Sequence, residues 1–120
     1  MPTILQNDYV LAVHDVKASA RFYADVLGFQ IVAEPPGWIF LEKDACMIML
    51  GECPGSLPAS ALGDHSYFAY LRVDDVDAYY AQAQRAGAAL SGVADKPWGM
   101  REFPLRTPDG HRIMIGQAIR

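Results

Sequence analysis

The chain has 120 residues and a formal net charge of −4 at pH 7. This length fits one domain with a sizeable hydrophobic core. The acidic balance argues against a nucleic-acid or anionic-membrane partner, because both favour a basic surface. Cys46 and Cys53 lack the spacing of a disulfide framework or a metal motif, and no secretory signal or membrane-spanning run is present. The sequence therefore predicts a cytoplasmic protein with reduced thiols.

The first half of the chain predicts a β-α-β-β-β unit. A strand over residues 8–13 leads into a helix over Val16–Leu27, in which apolar residues recur at helical spacing. Asp15 is the expected N-cap, and Gly28 is the expected end of the helix. A second strand is expected at 29–33, and a hairpin at 38–42 and 45–50 is expected to turn at Lys43-Asp44.

The second half predicts the same order of elements after a loop at 52–65 that is rich in Gly, Pro, Ser and Ala. The turn of its hairpin is Thr107-Pro-Asp-Gly110, in which Pro presets φ and Gly supplies conformational freedom. The expected elements are a strand at 66–73, a helix at 76–86, a weak strand at 88–93 and hairpin strands at 100–106 and 111–116.

Two short motifs recur at similar spacing. Val13-His-Asp-Val16 corresponds to Val73-Asp-Asp-Val76, and Met47-Ile-Met-Leu-Gly51 corresponds to Arg112-Ile-Met-Ile-Gly116. Agreement in order, spacing and turn position indicates an internal repeat. The sequence therefore predicts one domain at 4–118, made of modules at 4–51 and 66–117 that the loop at 52–65 joins.

Opposed residues in the first predicted hairpin share a face of the sheet. With the turn at Lys43-Asp44, Trp38 would oppose Met49 and Phe40 would oppose Met47. The other face would be wholly aliphatic, which suits packing under a helix; it would carry Ile39, Leu41, Ile48 and Leu50.

In the second predicted hairpin, Phe103 would oppose Met114 and Leu105 would oppose Arg112. Ile113 and Ile115 would then lie on the other face. This register places aromatic, methionine and arginine side chains together, as in the first hairpin.

The mixed face of both hairpins would line a concave surface, to which strand one adds Asp8 and strand five adds Phe68 and Tyr70. Small-molecule sites are commonly apolar clefts with a few polar groups. A hydrophobic core is the alternative, because Met and aromatic side chains also fill cores. Arg101, Arg112 and Asp8 favour a site, since a dry core would exclude their charges.

Three stretches of the chain resemble the vicinal oxygen chelate superfamily, which holds glyoxalase I, extradiol dioxygenases, and fosfomycin- and bleomycin-resistance proteins. The resemblance implies an α+β fold of paired βαβββ modules, with helices outside a curled mixed sheet around a cleft, and commonly a homodimer. The stretches are 13–29, which ends in Phe22-Tyr-Ala-Asp-Val-Leu-Gly-Phe29, then Gly37-Trp-Ile-Phe-Leu41, and Trp98-Gly-Met-Arg-Glu-Phe103 with Thr107-Pro-Asp-Gly-His111.

Metal enzymes of this superfamily carry His, Gln or Glu ligands at four strand positions, which the resemblance transfers to Asp8, Met49, Phe68 and Met114. One carboxylate, two thioethers and a phenyl ring are a poor donor set for the divalent ions of this chemistry. The departure implies no metal and no cofactor. It points to the branch of the bleomycin-resistance proteins, which bind their ligand without a metal.

The leading hypothesis is a metal-independent small-molecule binding protein of the kind that confers antibiotic resistance by sequestering a drug. Its aromatic residues would stack on a small hydrophobic or aromatic molecule, Arg101 would contact an anion, and Asp8 or Glu102 a cation. Packing or dimer contacts are the alternative for the tryptophans, and a solvated or interface ion pair for Arg101 and Glu102. The expected ligand-binding residues are Asp8, Trp38, Phe40, Met49, Phe68, Tyr70, Trp98, Arg101, Phe103 and Met114.

Two enzymatic alternatives stay open. One is a metal-independent lyase or isomerase that uses His65, Asp8 or Glu102 as an acid–base group. The other is a glyoxalase- or dioxygenase-like metal enzyme whose ligands have moved to other positions.

Overall fold

The computed structural model describes residues 3–62 and 66–119. It divides into two compact units, Met1–Ser56 and Leu57–Arg120. In the first unit the elements are β1 (Tyr9–Val13), α1 (Val16–Leu27), β2 (Gln30–Ala33), β3 (Trp38–Lys43) and β4 (Cys46–Glu52); in the second they are β5 (Tyr67–Arg72), α2 (Val76–Arg85), β6 (Ala94–Asp95), β7 (Met100–Arg106) and β8 (Arg112–Ala118).

The two units have the same topology. The strand order is β1-β4-β3-β2 in the first sheet and β5-β8-β7-β6 in the second. In each sheet the first strand runs parallel to its neighbour, and the remaining pairs are antiparallel. The α+β class and the repeated β-α-β-β-β order are therefore confirmed.

Helix α1 forms with the bounds and the caps that the sequence predicts. The Asp15 carboxylate accepts a hydrogen bond from the Ala18 backbone N–H at 3.0 Å, and Gly28 ends the helix in the left-handed conformation with φ of 79°. Ala20 and Tyr23 are 1% exposed, so the apolar side of the helix packs against its own sheet. This packing forms the core of the first unit.

Helix α2 is tied to the second sheet at its start. Asp75 caps it by accepting from the Ala78 N–H at 3.1 Å, and the Val76 N–H donates to the Gln117 side chain of β8 at 2.8 Å. Val76 and Ala83 are fully buried, as predicted for the inward side of the helix. No helix within residues 3–62 and 66–119 is long and apolar enough to cross a membrane.

The turn of the first hairpin lies at residues 44–45, one residue later than predicted. Lys43 pairs with Cys46, and Asp44 adopts φ of 51°, a left-handed conformation that Asp tolerates better than most residues. The pairing is consequently shifted by two residues from the predicted register.

The faces of the first hairpin are nevertheless those predicted. Phe40 pairs with Met49, and Trp38 pairs with Gly51. Because side chains alternate with a period of two, a shift of two residues leaves each side chain on its predicted face. The face toward α1 is buried and aliphatic; it carries Ile39, Leu41, Ile48 and Leu50.

The turn of the second hairpin forms as predicted, but it encloses one more residue than expected. The Gly110 N–H donates to the Thr107 carbonyl at 2.9 Å, and Gly110 has φ of 84°. The Thr107 N–H in turn donates to the His111 carbonyl at 2.9 Å. The strands are thus separated by residues 107–111, and Arg106 pairs with Arg112.

The predicted pairing of the second hairpin is therefore wrong by one residue. Phe103 pairs with Ile115 rather than Met114, and Leu105 pairs with Ile113 rather than Arg112. A one-residue change moves every side chain to the opposite face of a strand. The four apolar residues of these two pairs are fully buried in the core of the second unit.

The predicted strand at 88–93 is also wrong. Ala89 makes an isolated bridge to Leu105, and the edge strand β6 forms later. Its two residues pair with β7 alone.

The described part of the loop at 52–65 is not a plain linker. It contains a short 3₁₀ helix at Ala59–Leu62. The Ala59 N–H donates to the Asp109 carbonyl at 3.1 Å, and Ala59 is buried. This segment is therefore attached to the β7–β8 turn of the second unit.

Candidate functional site

The open face of the second sheet, which faces away from α2, carries a concave surface that encloses a volume of about 510 Å³. Side chains of β5, β7 and β8 line it, together with one from the loop that precedes β7. Four of the predicted ligand-binding residues come together here, namely Phe68, Tyr70, Trp98 and Met114, and the remaining lining residues are Tyr67, Ala69 and Glu102. We call this surface the aromatic pocket.

A bulge in β5 brings neighbouring residues to the aromatic pocket. Tyr67 pairs with Arg112 and Ala69 pairs with Ile113, so Phe68 is an extra residue in the strand. Regular alternation would place Tyr67 and Ala69 on the face opposite Phe68. Tyr67 was missed by sequence reasoning because alternation alone contains no signal of a bulge.

Tyr70 extends across the sheet to Glu102. Its hydroxyl donates to Glu102 Oε2 at 2.6 Å. Gly116 faces Glu102 directly in the β7–β8 pair, and the Tyr70 ring lies over it. Partial shielding from water, followed by the hydrogen bond to Glu102, raises the pKa of Tyr70 to about 12. Gly116 thus provides the space through which the tyrosine reaches the carboxylate.

Trp98 is presented by a turn at residues 96–99. The Gly99 N–H donates to the Lys96 carbonyl at 3.0 Å, and Gly99 has φ of 82°. Trp98 is 65% exposed, and its indole N–H donates to Glu102 Oε2 at 3.4 Å. The Lys96 ammonium lies 5.9 Å from the centroid of the indole ring. The indole is therefore oriented by polar contacts while much of its surface stays open.

Glu102 is the charged residue of the aromatic pocket and is 5% exposed. It takes part in none of the ion pairs that form among the described residues, 3–62 and 66–119. Sequence reasoning considered Glu102 as a cation contact or an ion-pair partner, but its place in the pocket follows from the corrected register of β7 and β8.

The wall of the aromatic pocket at Phe68 is backed by His111. Their rings meet edge to face with centroids 5.7 Å apart. Burial lowers the pKa of His111, and the nearby Asp109 charge opposes this effect. The Arg112 guanidinium lies 5.7 Å from the centroid of the Tyr67 ring.

The first sheet carries a cluster of its own on its open face. Phe40 pairs with Met49, which also pairs with Val10 of β1. The Trp38 ring lies 6.2 Å from the Phe40 ring, and a Cβ on Gly51 would lie 3.0 Å from the indole. The predicted site residues Trp38, Phe40 and Met49 are therefore brought together within this unit.

Asp8 lies just before β1 and is exposed. Its carboxylate accepts a hydrogen bond from the Gln6 side-chain amide at 2.6 Å. Burial, and secondarily the Asp8 charge, raise the pKa of the Cys46 thiol. Asp8 is therefore near β4 of its own sheet.

Arg101 and Phe103 lie on the side of β7 opposite Glu102. Phe103 is fully buried. The Arg101 guanidinium donates to Asp95 at 2.8 Å and to Asp77 at 3.1 Å, and these hydrogen bonds raise its pKa. The expectation that Arg101 and Phe103 share the surface of the aromatic residues is wrong, because it depended on the wrong register.

The residues present do not fit the metal of the superfamily's metal enzymes. The corresponding positions, Asp8, Met49, Phe68 and Met114, supply one carboxylate, two soft thioethers and a phenyl ring. Within residues 3–62 and 66–119, no three His, Cys, Asp or Glu side chains come together as a possible metal site. His65, the candidate acid–base group, lies outside the described residues.

Comparison with known proteins identifies the family. The profile of the Glyoxalase/Bleomycin resistance protein/Dioxygenase superfamily matches residues 5–115. The chain is 30% identical to an uncharacterized protein of Mycobacterium bovis, with 92% of this chain and 81% of that protein covered. It is 28% identical to a bleomycin resistance protein of Geobacillus stearothermophilus, with 98% and 99% covered.

The fold is also similar to that of solved structures. A crystal structure of a bleomycin-binding protein complexed with bleomycin matches with a TM-score of 0.74 and 28% identity, covering 93% of this chain and 97% of that one. A bleomycin resistance determinant encoded on the transposon Tn5 matches with a TM-score of 0.75 and 29% identity, covering 94% and 97%. The chain therefore belongs to the Glyoxalase/Bleomycin resistance protein/Dioxygenase superfamily.

Proposed function

We propose that this protein binds a drug-like aromatic molecule in the aromatic pocket and sequesters it without chemical change. The observation that carries the proposal is the pocket itself. It has a volume of about 510 Å³ and is lined by four aromatic side chains around one carboxylate. Apolar surfaces with a few polar groups are typical of small-molecule sites. The similarity to bleomycin resistance and bleomycin-binding proteins supports the same function.

The exposure of the rings supports a binding role. Tyr67 is 41% exposed, Tyr70 is 42% exposed and Trp98 is 65% exposed. A planar ligand that covers them would remove apolar surface from water, which stabilises a complex by roughly 25 cal/mol for each Å² buried. Stacking adds about 0.5–1.5 kcal/mol for each aromatic pair. Adjacent exposed rings on one surface thus favour an aromatic ligand.

The proposed binding needs no metal held by the protein. The two methionines and the phenylalanine at the superfamily's ligand positions are poor donors for a divalent ion. The same side chains are well suited to apolar contact with a ligand. We therefore expect chelator-treated protein to bind as well as untreated protein.

Trp38, Phe40 and Met49 form a second surface that we propose for contact with a ligand. Trp38 is 38% exposed and lies edge-on to Phe40. A Trp38→Ala variant tests this surface in the same titrations. Unchanged affinity would assign the three residues to packing or to contact between subunits.

We further propose a cytoplasmic homodimer, which the family resemblance implies. Cys46 and Cys53 are both free thiols, in keeping with a reducing compartment. Light scattering at micromolar concentration tests the assembly, and a monomer would rule out the homodimer.

Calorimetric titration with bleomycin tests the function. We expect saturable binding by chelator-treated wild-type protein, and a loss of affinity of about tenfold or more for Trp98→Ala and for Tyr70→Ala. Leu90→Ala is the matched control, because Leu90 is a large apolar side chain that is 40% exposed outside the pocket. Equal affinity of all four proteins would contradict the aromatic pocket as the binding site.

A further inference from the structure

We infer that the preferred ligand carries a protonated amine beside its aromatic ring, and that Glu102 receives the ammonium group. This inference rests on the proposed function, whose ligand class it narrows. It follows from the hydrogen bonds of Glu102, from its charge and from the rings around it.

The two carboxylate oxygens of Glu102 differ in their contacts. Tyr70 and Trp98 both donate to Oε2, at 2.6 Å and 3.4 Å. Oε1 accepts no hydrogen bond from the residues that the structure describes. A carboxylate has about four acceptor positions, so about half of the hydrogen-bonding capacity of Glu102 remains for a donor from the ligand.

Glu102 also makes no ion pair with another described residue. Tyr70 and Trp98 are neutral donors, and none of the described ion pairs includes Glu102. A carboxylate that is 5% exposed has lost much of its hydration, which is unfavourable until a positive group approaches. A ligand ammonium would supply both the charge and the hydrogen-bond donors.

The rings around Glu102 already attract cations. The Lys96 ammonium lies over the Trp98 ring at 5.9 Å, and the Arg112 guanidinium lies over the Tyr67 ring at 5.7 Å. Lys96 nevertheless makes no ion pair with Glu102 in the described structure. An ammonium beside Glu102 would gain a charge-assisted hydrogen bond and contact with an aromatic face together.

A matched pair of probes tests the inference, naphthylmethylamine and naphthylmethanol, which share a ring and differ in charge. The reporter is the indole N–H resonance of Trp98, since this group donates to Glu102. The chain contains two tryptophans, so the Trp98 resonance is assigned from its loss in Trp98→Phe, and the Trp38 resonance is an internal reference. Titration followed by this resonance gives the affinity of each probe.

We expect the amine to bind wild-type protein about tenfold more tightly than the alcohol. Glu102→Gln should bring the two affinities to within about twofold of each other. Glu34→Gln is the charge-matched control, because Glu34 is exposed in the loop after β2, and it should keep the wild-type preference. Glu102→Ala also removes the charge and should likewise abolish the preference, which provides a second variant if Glu102→Gln does not fold.

Equal affinities in wild-type protein, or an unchanged amine preference in Glu102→Gln, would overturn the inference and leave the proposed function standing. A loss of the preference in Glu34→Gln would also overturn it, because net charge would then explain the result. If neither probe shifts the Trp98 resonance of wild-type protein, the aromatic pocket itself is not a binding surface, and the proposed function fails with the inference.

Discussion

Tyr70 crosses Gly116 so closely that a Cβ built on the glycine would lie 2.7 Å from the Tyr70 Cζ atom. The backbone of Gly116 is not in the left-handed region, so alanine could adopt it. The nearest obstacle to a side chain is therefore Tyr70. We predict that Gly116→Ala lowers the free energy of unfolding by about 1–3 kcal/mol through overpacking, as measured by urea denaturation.

The control for this prediction is the same substitution in a Tyr70→Ala background. Without the ring, Gly116→Ala should have little effect on stability. The coupling free energy from the double-mutant cycle should therefore equal most of the destabilisation that Gly116→Ala causes when Tyr70 is present. An equal cost with and without the ring would contradict the steric explanation.

Phe103 and Trp98 should differ in how much they contribute to the stability of the fold. Phe103 is fully buried and meets the Tyr80 ring edge to face at 5.2 Å, so Phe103→Ala should lower the free energy of unfolding by about 3–5 kcal/mol. Trp98→Ala should change it by less than about 1 kcal/mol, because the indole is mostly exposed. Urea denaturation measures both, and a reversed order would place Phe103 outside the core.

The raised pKa of Tyr70 predicts a dependence of stability on alkaline pH. An ordinary tyrosine has a pKa of 10.0, whereas that of Tyr70 in the folded protein is about 12. Between these values the unfolded chain has released the proton while the folded protein retains it. The contribution of Tyr70 to folding is therefore complete below pH 10.0 and declines as the pH rises toward about 12.

Absorbance of tyrosinate as a function of pH measures this titration. The difference between wild-type protein and Tyr70→Phe isolates the Tyr70 step. Glu102→Gln should move that step to lower pH, since the carboxylate charge and its hydrogen bond both oppose ionisation of Tyr70. An unmoved step in Glu102→Gln would show that the two side chains are not in contact.

Arg101 should contribute little to stability or to ligand binding. Its two carboxylate partners are 66% and 58% exposed, and exposed ion pairs typically contribute about 0–1 kcal/mol. We predict that Arg101→Met lowers the free energy of unfolding by less than about 1 kcal/mol and leaves the affinity for bleomycin unchanged. A large loss of affinity would show that Arg101 contacts the ligand after all.

The two hairpins show how far a sequence pattern determines a face of a sheet. In the first, the predicted turn was displaced, yet Trp38 and Phe40 remained on the open side because the error was an even number of residues. In the second, the error was a single residue, and Phe103 moved into the core. The hydrogen bond from Thr107 to His111 sets this register, and it cannot be recognised from the turn residues alone.

The sequence suggests a polar role for Glu102, but its neighbours could not be derived from the sequence. The contact with Tyr70 requires both the register that pairs Glu102 with Gly116 and a tyrosine that leans across a neighbouring strand. The bulge at Phe68, which adds Tyr67 to the aromatic pocket, has no signature in the alternation of apolar residues either. Helix α1, in contrast, was predictable in full, because its caps and spacing are local.

Strand β5 contains no buried side chain, although it supplies four of the seven residues of the aromatic pocket. Helix α2 packs on β7 and β8 instead, and those strands hold the core. Substitutions at Tyr67, Phe68, Ala69 and Tyr70 therefore change the lining of the aromatic pocket without removing a buried side chain from the core. Under the proposed function, replacing these four side chains one at a time would alter the range of ligands bound, and a mutant library confined to the four positions would measure this.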